Sequence, residues 1–179
     1  MSSTELAAKS AITDVLHRYA RAMDRMDAEL ALSCWHPGGT DDHSPLYSGS
    51  AVGFVEWLWP VHAGFLMTRH VVTNILIEVA GNSAGSESYW HVLLRKAVSG
   101  ALWDLSVQGR YVDSFECIGG IWAMRHRQSL TEWSRIDPVT WVAGDSGAPV
   151  TIVPNNPEVV PPRVSRARDD YSYSVIGTR

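Results

Sequence analysis

The stretch Leu66–Ile75, "LMTRHVVTNI", places His70 and Asn74 at the start of a run of β-branched residues that otherwise favours burial. An imidazole there can accept a proton near neutral pH, because its ordinary pKa is about 6.5. Alone in apolar surroundings, the ring has neither a fixed tautomer nor a fixed angle. A carboxylate on its other nitrogen fixes both and stabilises the imidazolium that forms. Asp24 can supply that carboxylate if the first apolar-periodic segment, which it closes, ends beside the strand that His70 opens. The same two residues also have a purely structural reading, His70 as a hydrogen-bonded core histidine and Asp24 as a cap on the next helix. Asp42 and His43 form a second cluster, in the segment Thr40–Pro45. His43 there is either an acid able to protonate a departing hydroxyl or a solvated loop residue. Tyr19, on the face of the same segment as Asp24, is either a hydroxyl aimed at a substrate oxygen or a core aromatic. Trp35, Trp57, Asn74, Tyr89, Tyr111 and Asp42 are the further candidates for contact with a small ligand.

These residues need elements to hold them. Ile12, Val15, Leu16, Tyr19, Ala22, Met23 and Met26 recur at spacings of three and four, which predicts an amphipathic helix over 4–26, capped by Thr4 or Ser3. A shorter helix is expected from Asp27 to Trp35, stopped by Pro37-Gly38-Gly39, with Thr40–Pro45 as a loop. A third is expected from Ser50 to Phe65, bent or broken at Pro60. The period then changes from helical to strand-like. Strands are expected over Val71–Ala80, Ser86–Lys96, Ser106–Cys117 and Ile121–Trp133, joined by Gly- and Asn-rich turns. Three helices followed by an antiparallel meander give an α+β class, with the helices packed on one face of a curved sheet. On the second strand, Ser88, Trp90 and Val92 share the more apolar face and His91 faces out; on the fourth, Arg125 and Arg127 share a face, and one of them pairs with Asp113 or binds a substrate oxygen. The domain is expected over 1–136. Residues 137–179, rich in Pro, Gly, Ser and Arg, read as an arm that contributes little to the core and can cover a pocket mouth or cross to a neighbour.

Composition narrows the classes of function. The chain has 179 residues, enough for one domain with a real core, and a net charge of −4 leaves no footprint for nucleic acid or an anionic membrane. Eight tryptophans could fill a core or line a cavity for a flat apolar ligand. Trp90, Trp103, Trp122 and Trp133 are more apolar surface than a monomer needs, so self-association as a trimer, or a dimer, is expected. Cys34 and Cys117 make no metal-type pair, and the seven histidines show no metalloprotease spacing. No dinucleotide fingerprint, P-loop or nucleophile elbow is present. The chemistry this implies needs no cofactor and no metal. The N-terminal MSSTELAAKS lacks the order of a signal peptide, and no apolar run spans a bilayer, so a cytoplasmic location is expected.

With these elements in place, three stretches resemble a known group in order and spacing: "LHRYARAMDRMDAELALSCWHP", "FVEWLWPVHAGFLMTRHVVTNILIEVAGNSAGSESYW" and "GRYVDSFECIGGIWAMRHRQSLTEW". Over about residues 8–135 the chain is similar to the SnoaL-like group of the nuclear-transport-factor-2-like superfamily of cone-shaped α+β barrels, and within it to the scytalone dehydratase and hexachlorocyclohexane dehydrochlorinase branch. The resemblance implies a lyase that works without a cofactor, through an aspartate–histidine dyad that falls on Asp24 in "RAMDRMD" and His70 in "TRHVVTN". It implies an assisting arginine of the later strands, for which Arg125 is the nearest candidate. The superfamily also holds polyketide cyclases, an isomerase, formaldehyde-releasing lyases of lignin-derived aromatics, and silent binding domains. Fold alone does not choose among them. The dehydrochlorinase pattern does not require a histidine at His43, and its presence favours chemistry that needs both an acid and a base.

Overall fold

A computed structural model of the chain describes residues 2–142, 158 and 164–176. Helix α1 covers Ser3–Arg25 and buries the expected stripe, Ile12, Val15, Leu16, Tyr19, Ala22 and Met23. Its cap is Ser2, whose hydroxyl accepts the Glu5 N–H, rather than Thr4 or Ser3. It ends where Met26 turns left-handed at φ 53°. Asp27 caps the short α2, Ala28–Leu32, by accepting the Leu30 N–H at 3.1 Å. Helix α3 covers Ala51–Ala63 behind the Ser50 cap. It does not break at Pro60, which falls in its last turn, where a missing N–H costs a single backbone bond.

The first half of the expected loop at Thr40–Pro45, up to Asp42, is strand. β1 spans Trp35–Asp42, through Pro37-Gly38-Gly39, and pairs with the short β2, Ser48–Ser50. Its other edge lies parallel to β6 (Ile121–Pro138), with Thr40 opposite His126 and Asp41 opposite Arg127. Pairing with a strand some 85 residues later overrides the local breaker signal, which is why no nearby residue announces it. The remaining strands, β3 (Met67–Ala80), β4 (Ser83–Val98) and β5 (Ala101–Ile118), form an antiparallel meander with β6 and extend past the expected ends. The six-stranded sheet runs β2-β1-β6-β5-β4-β3, so β3 is an edge. A last short helix, α4, covers Ser172–Ile176. Of the arm expected over 137–179, the residues 143–157, 159–163 and 177–179 lie outside the described residues.

The helices pack on the inner face of the sheet. Trp90, placed above among the surface tryptophans, belongs to this core: its ring stacks on Tyr111 with centroids 5.4 Å apart. The reason is visible at Gly109, opposite Trp90. A β-carbon there would lie 2.0 Å from the Leu130 carbonyl oxygen and 2.9 Å from the Trp90 ring, so only glycine lets the indole lie inward. Trp103 and Trp133 remain exposed. The inner face also holds a charge. Arg127 donates through Nε and Nη2 to Asp113 at 2.8 and 2.7 Å, with both side chains wholly out of solvent. Its guanidinium lies 4.1 Å from the Tyr19 ring centroid and 3.8 Å from that of Tyr111. Burial pulls the Arg127 pKa down, but the Asp113 carboxylate more than offsets this and holds it raised.

Two stability predictions arise here. Asp113→Ala leaves the Arg127 charge buried without compensation, and denaturant unfolding should show a loss of about 3–5 kcal/mol. Asp113→Leu combined with Arg127→Met should recover most of it, and a double variant no more stable than Asp113→Ala would contradict this account. His62, buried in the last turn of α3, has its pKa pulled down to about 4 by burial first, then by His70 and Arg166, with Asp24 opposing. Between pH 6.5 and 4 the unfolded chain therefore binds a proton on this residue that the folded chain refuses, and folding loses stability as pH falls through that window, by up to about 3 kcal/mol. His62→Gln should be less acid-sensitive than the parent; parallel pH profiles for the two would refute the assignment.

Candidate functional site

Helix α1 lies along β3, and its last turn delivers Asp24 to the strand edge. The Nδ1–H of His70 donates to Asp24 Oδ1 at 2.6 Å, and the His70 backbone N–H donates to both carboxylate oxygens, at 3.1 and 2.9 Å. Both side chains are largely out of solvent, with 8% exposure for His70 and 15% for Asp24. A carboxylate can only accept here, so the ring proton sits on Nδ1 and the lone pair on Nε2. The His62 ring lies 6.0 Å from that of His70, centroid to centroid. A hollow of about 300 Å³ opens beside the pair, lined by His17, Ala20, Arg21, Asp24, Arg25, His70 and Val72.

Residues 164–176 lie across this end of α1. Arg25 donates to the Ser165 carbonyl at 3.1 Å and faces Asp170 at 3.7 Å. Arg21 donates to Ser172 Oγ at 3.0 Å and stacks over the Tyr173 ring at 4.5 Å. Asp27 receives Arg168 at 3.0 Å and the Tyr173 hydroxyl at 2.8 Å. Its carboxyl is held below its ordinary range because the Leu30 N–H, Arg168 and Tyr173 outweigh the burial that opposes them.

A second aspartate–histidine pair sits at the end of β1. His43 Nδ1 is hydrogen-bonded to Asp41, not to its other neighbour Asp42. The alternation of β1 puts Asp41 inward, where its side chain is fully buried, whereas Asp42 accepts the Ser44 N–H at 2.8 Å and the Ser48 hydroxyl at 3.3 Å. Taking the segment for a loop hides this parity, and Asp41 is missed for that reason. The His43 ring stacks on Phe54 at 4.7 Å and meets Tyr111 edge-on at 6.1 Å.

The other candidates divide. Tyr19, Trp35 and Tyr111 are buried, Tyr19 meeting each of the other two edge-on, and burial, its largest cause, pushes the Tyr19 phenol well above its ordinary range. Trp57 is half-buried, stacked on Tyr47 at 5.7 Å. Three candidates are displaced from where they were expected. Asn74 occupies an irregularity in β3 between Thr73 and Leu76, at φ 51°, so it is exposed and the even spacing from His70 no longer places the two on one face. Tyr89 lies on the outer face, 43% exposed. Arg125 falls where the β5–β6 register slips between Met124 and His126; it is exposed, 3.2 Å from Glu116 and 3.3 Å from the Pro37 carbonyl. The arginine that the slip turns inward is Arg127, whose Nη1 stays unpartnered. Near it the buried hydroxyls of Ser86, Ser88 and Ser129 and the Trp90 indole nitrogen lack protein partners among the described residues. Among those residues, no three His, Cys, Asp or Glu side chains converge as metal ligands, and no helix is long and apolar enough to cross a membrane.

Relatives carry the same architecture. A proposed scytalone dehydratase from Novosphingobium aromaticivorans superposes with a TM-score of 0.68 at 20% identity, covering 75% of this chain and 91% of its own. A hexachlorocyclohexane dehydrochlorinase of type 3 from Novosphingobium barchaimii gives 0.65 at 16% identity, over 84% and 97%. A proposed aromatic ring hydroxylase from Novosphingobium aromaticivorans also gives 0.65, at 18% identity over 75% and 94%, so one shape carries several assigned chemistries. Among curated proteins, none matches the sequence. The model of the SnoaL-like domain matches residues 4–128, which hold all of α1 but its first residue, the whole of α2, α3 and β1–β5, and both aspartate–histidine pairs, and the chain belongs to that family.

Proposed function

We propose that the protein is a lyase that needs no cofactor and eliminates water, or a small fragment such as formaldehyde, from a small aromatic or alicyclic alcohol. The observation that carries this reading is the 2.6 Å bond from His70 Nδ1 to Asp24, which leaves Nε2 as a proton acceptor beside a hollow of suitable size. In loss of water, Nε2 takes a proton from carbon, the C–H pair becomes the new C=C bond, and the C–O bond breaks. In loss of formaldehyde, Nε2 takes the hydroxymethyl O–H proton. The O–H pair then forms the C=O bond of formaldehyde, the C–C pair forms the new C=C bond, and a hydroxyl departs from the next carbon. Either route places positive charge on His70, which Asp24 stabilises. Either route also benefits from a proton given to the departing hydroxyl, and the candidate donor is His43, oriented by Asp41 at the end of β1 and outside the residues that line the hollow. The neighbouring dehydratase and dehydrochlorinase structures support the reading at the level of fold.

A panel of aromatic and alicyclic alcohols, followed for formaldehyde and for new conjugated double bonds, identifies the substrate. An isomerised or cyclised product of unchanged mass would assign the same base to a different reaction, and binding without turnover across the panel would favour a binding domain. With a substrate in hand, His70→Ala should lose about a hundred- to ten-thousandfold in kcat/KM. Asp24→Asn, which releases the ring from its tautomer, should also lose heavily in kcat while remaining folded. A folded His70→Ala variant with near-parental turnover ends the assignment. Separately, His43→Ala should slow the reaction by about a hundredfold or more if it is the acid. Unchanged turnover across the pH range would leave His43 a stacking partner of Phe54 and nothing else.

A further inference from the structure

Elsewhere in this protein, arginines meet carboxylates along the Nε–Nη2 edge. Arg95 does so with Asp104, at 2.7 Å on both nitrogens, and Arg127 with Asp113. Arg166 presents the same edge, and both its Nε and its Nη2 are buried with no partner among the described residues. Only its Nη1 is bonded, to the carbonyls of His62 and Phe65 at the end of α3. Arg166 follows Ser165, whose carbonyl takes Arg25 from the wall of the hollow, and it bonds the carbonyl of His62, whose ring lies 6.0 Å from that of His70. Arg21, on the wall of the hollow, likewise has a buried and unpartnered Nη2. Charged N–H groups held away from water without acceptors are costly, so a ligand that supplies acceptors gains by it. The carboxylates nearby are already engaged. Asp24 is bonded to the ring and backbone of His70; Asp170 accepts the N–H groups of Ser165 and Ser172 and faces Arg25.

We propose that the substrate is an acid, and that its carboxylate is received at the dyad's hollow by the unpartnered N–H groups of Arg21, on its wall, and of Arg166, seated next to the wall residue Arg25 by the end of α3. The inference rests on the dyad reading and adds a substrate class to it: an aromatic or alicyclic alcohol that also carries a carboxylate. Ala20 and Val72 supply apolar wall for the ring. Because Arg21 and Arg25 also fasten residues 165–173, acid binding and the seating of that segment reinforce one another.

The probes are benzoate and benzamide, equal in shape and different in charge, titrated calorimetrically into the full chain at pH 7. Benzoate should bind at least tenfold more tightly, with an advantage that shrinks as salt is added. Arg21→Gln and Arg166→Gln should each weaken benzoate about tenfold and leave benzamide unmoved. A purely structural role, as a fastener of the C-terminal segment or a cap on α3, would weaken both ligands alike. Equal or unmeasurable binding of the two probes to the parent, or equal losses in the variants, overturns the proposal. If Arg166→Gln fails to fold by circular dichroism, Arg21→Gln carries the test. The outcome is separable from the dyad's: benzoate preference should persist in His70→Ala even if that variant turns substrate over normally, and loss of the preference leaves the turnover assay of His70 intact.

Discussion

The carboxylate of Asp24 accepts both N–H groups of one residue, the ring and the backbone of His70, and much of this end of the molecule depends on that contact. β3 is the edge of the sheet, and an edge strand leaves N–H groups without a neighbouring strand. At His70 the end of α1 supplies the missing acceptor. One side chain thus closes a sheet edge, docks a helix terminus on it and sets the tautomer of an imidazole. The left-handed turn at Met26 ends α1 just beyond Asp24, so the carboxylate sits in the last turn, where the helix can meet the strand without running past it.

How legible this was depends on how local each cause is. The α1 stripe, the hairpins and the change of period lie in short windows, and so does the change from helical to strand spacing just before His70. The pairing of Asp24 with His70 spans 46 residues, and it was reached through resemblance more than through spacing. β1 is held by β6 rather than by its own residues, so its sequence reads as a loop and points to Asp42 in place of Asp41. A slip in β3 carries Asn74 off the face of His70, and another in β6 separates Arg125 from Arg127, which share a face in the strand pattern, and leaves Arg127 inward against Asp113. A single extra residue in a strand reverses which side chains face in, and no pattern within the strand reports it when both faces carry polar groups. The part of the C-terminal segment that reaches the dyad was harder still, because Arg166 meets the end of α3 across 104 and 101 residues.

The protein shows two ways of holding an arginine's Nε–Nη2 edge away from water. Along that edge Arg127 is closed: a carboxylate fills it and two tyrosine rings cover the guanidinium faces. A group held this way adds definition to the core, and Asp113 leaves it little reason to release a ligand-binding edge. Arg166 has no partner among the described residues along the corresponding edge, and it is brought to the end of α3 by a segment that arrives from the far end of the chain. The difference lies in what each packs against. Strand pairing sets Arg127 opposite Asp113, while Arg166 is seated by main-chain carbonyls, which fix its position and leave its charge uncompensated.

That distinction bears on how the two ends of the site are coupled. Arg21 and Arg25 lie one turn apart on α1, and Asp24 falls between them in sequence, three residues after Arg21 and one before Arg25, on a different face. Asp24 faces the strand while Arg21 and Arg25 reach the C-terminal segment, and Asp27, one turn on, both caps α2 and receives Arg168 and Tyr173. A displacement of residues 164–176 is therefore transmitted directly to the turn of α1 that holds the imidazole. The orientation of the His70 ring therefore shares a helix end with the contacts that seat residues 164–176. On the proposed reading, ligand binding and proton transfer meet in this turn, since Arg21 lies one helical turn before the residue that orients His70.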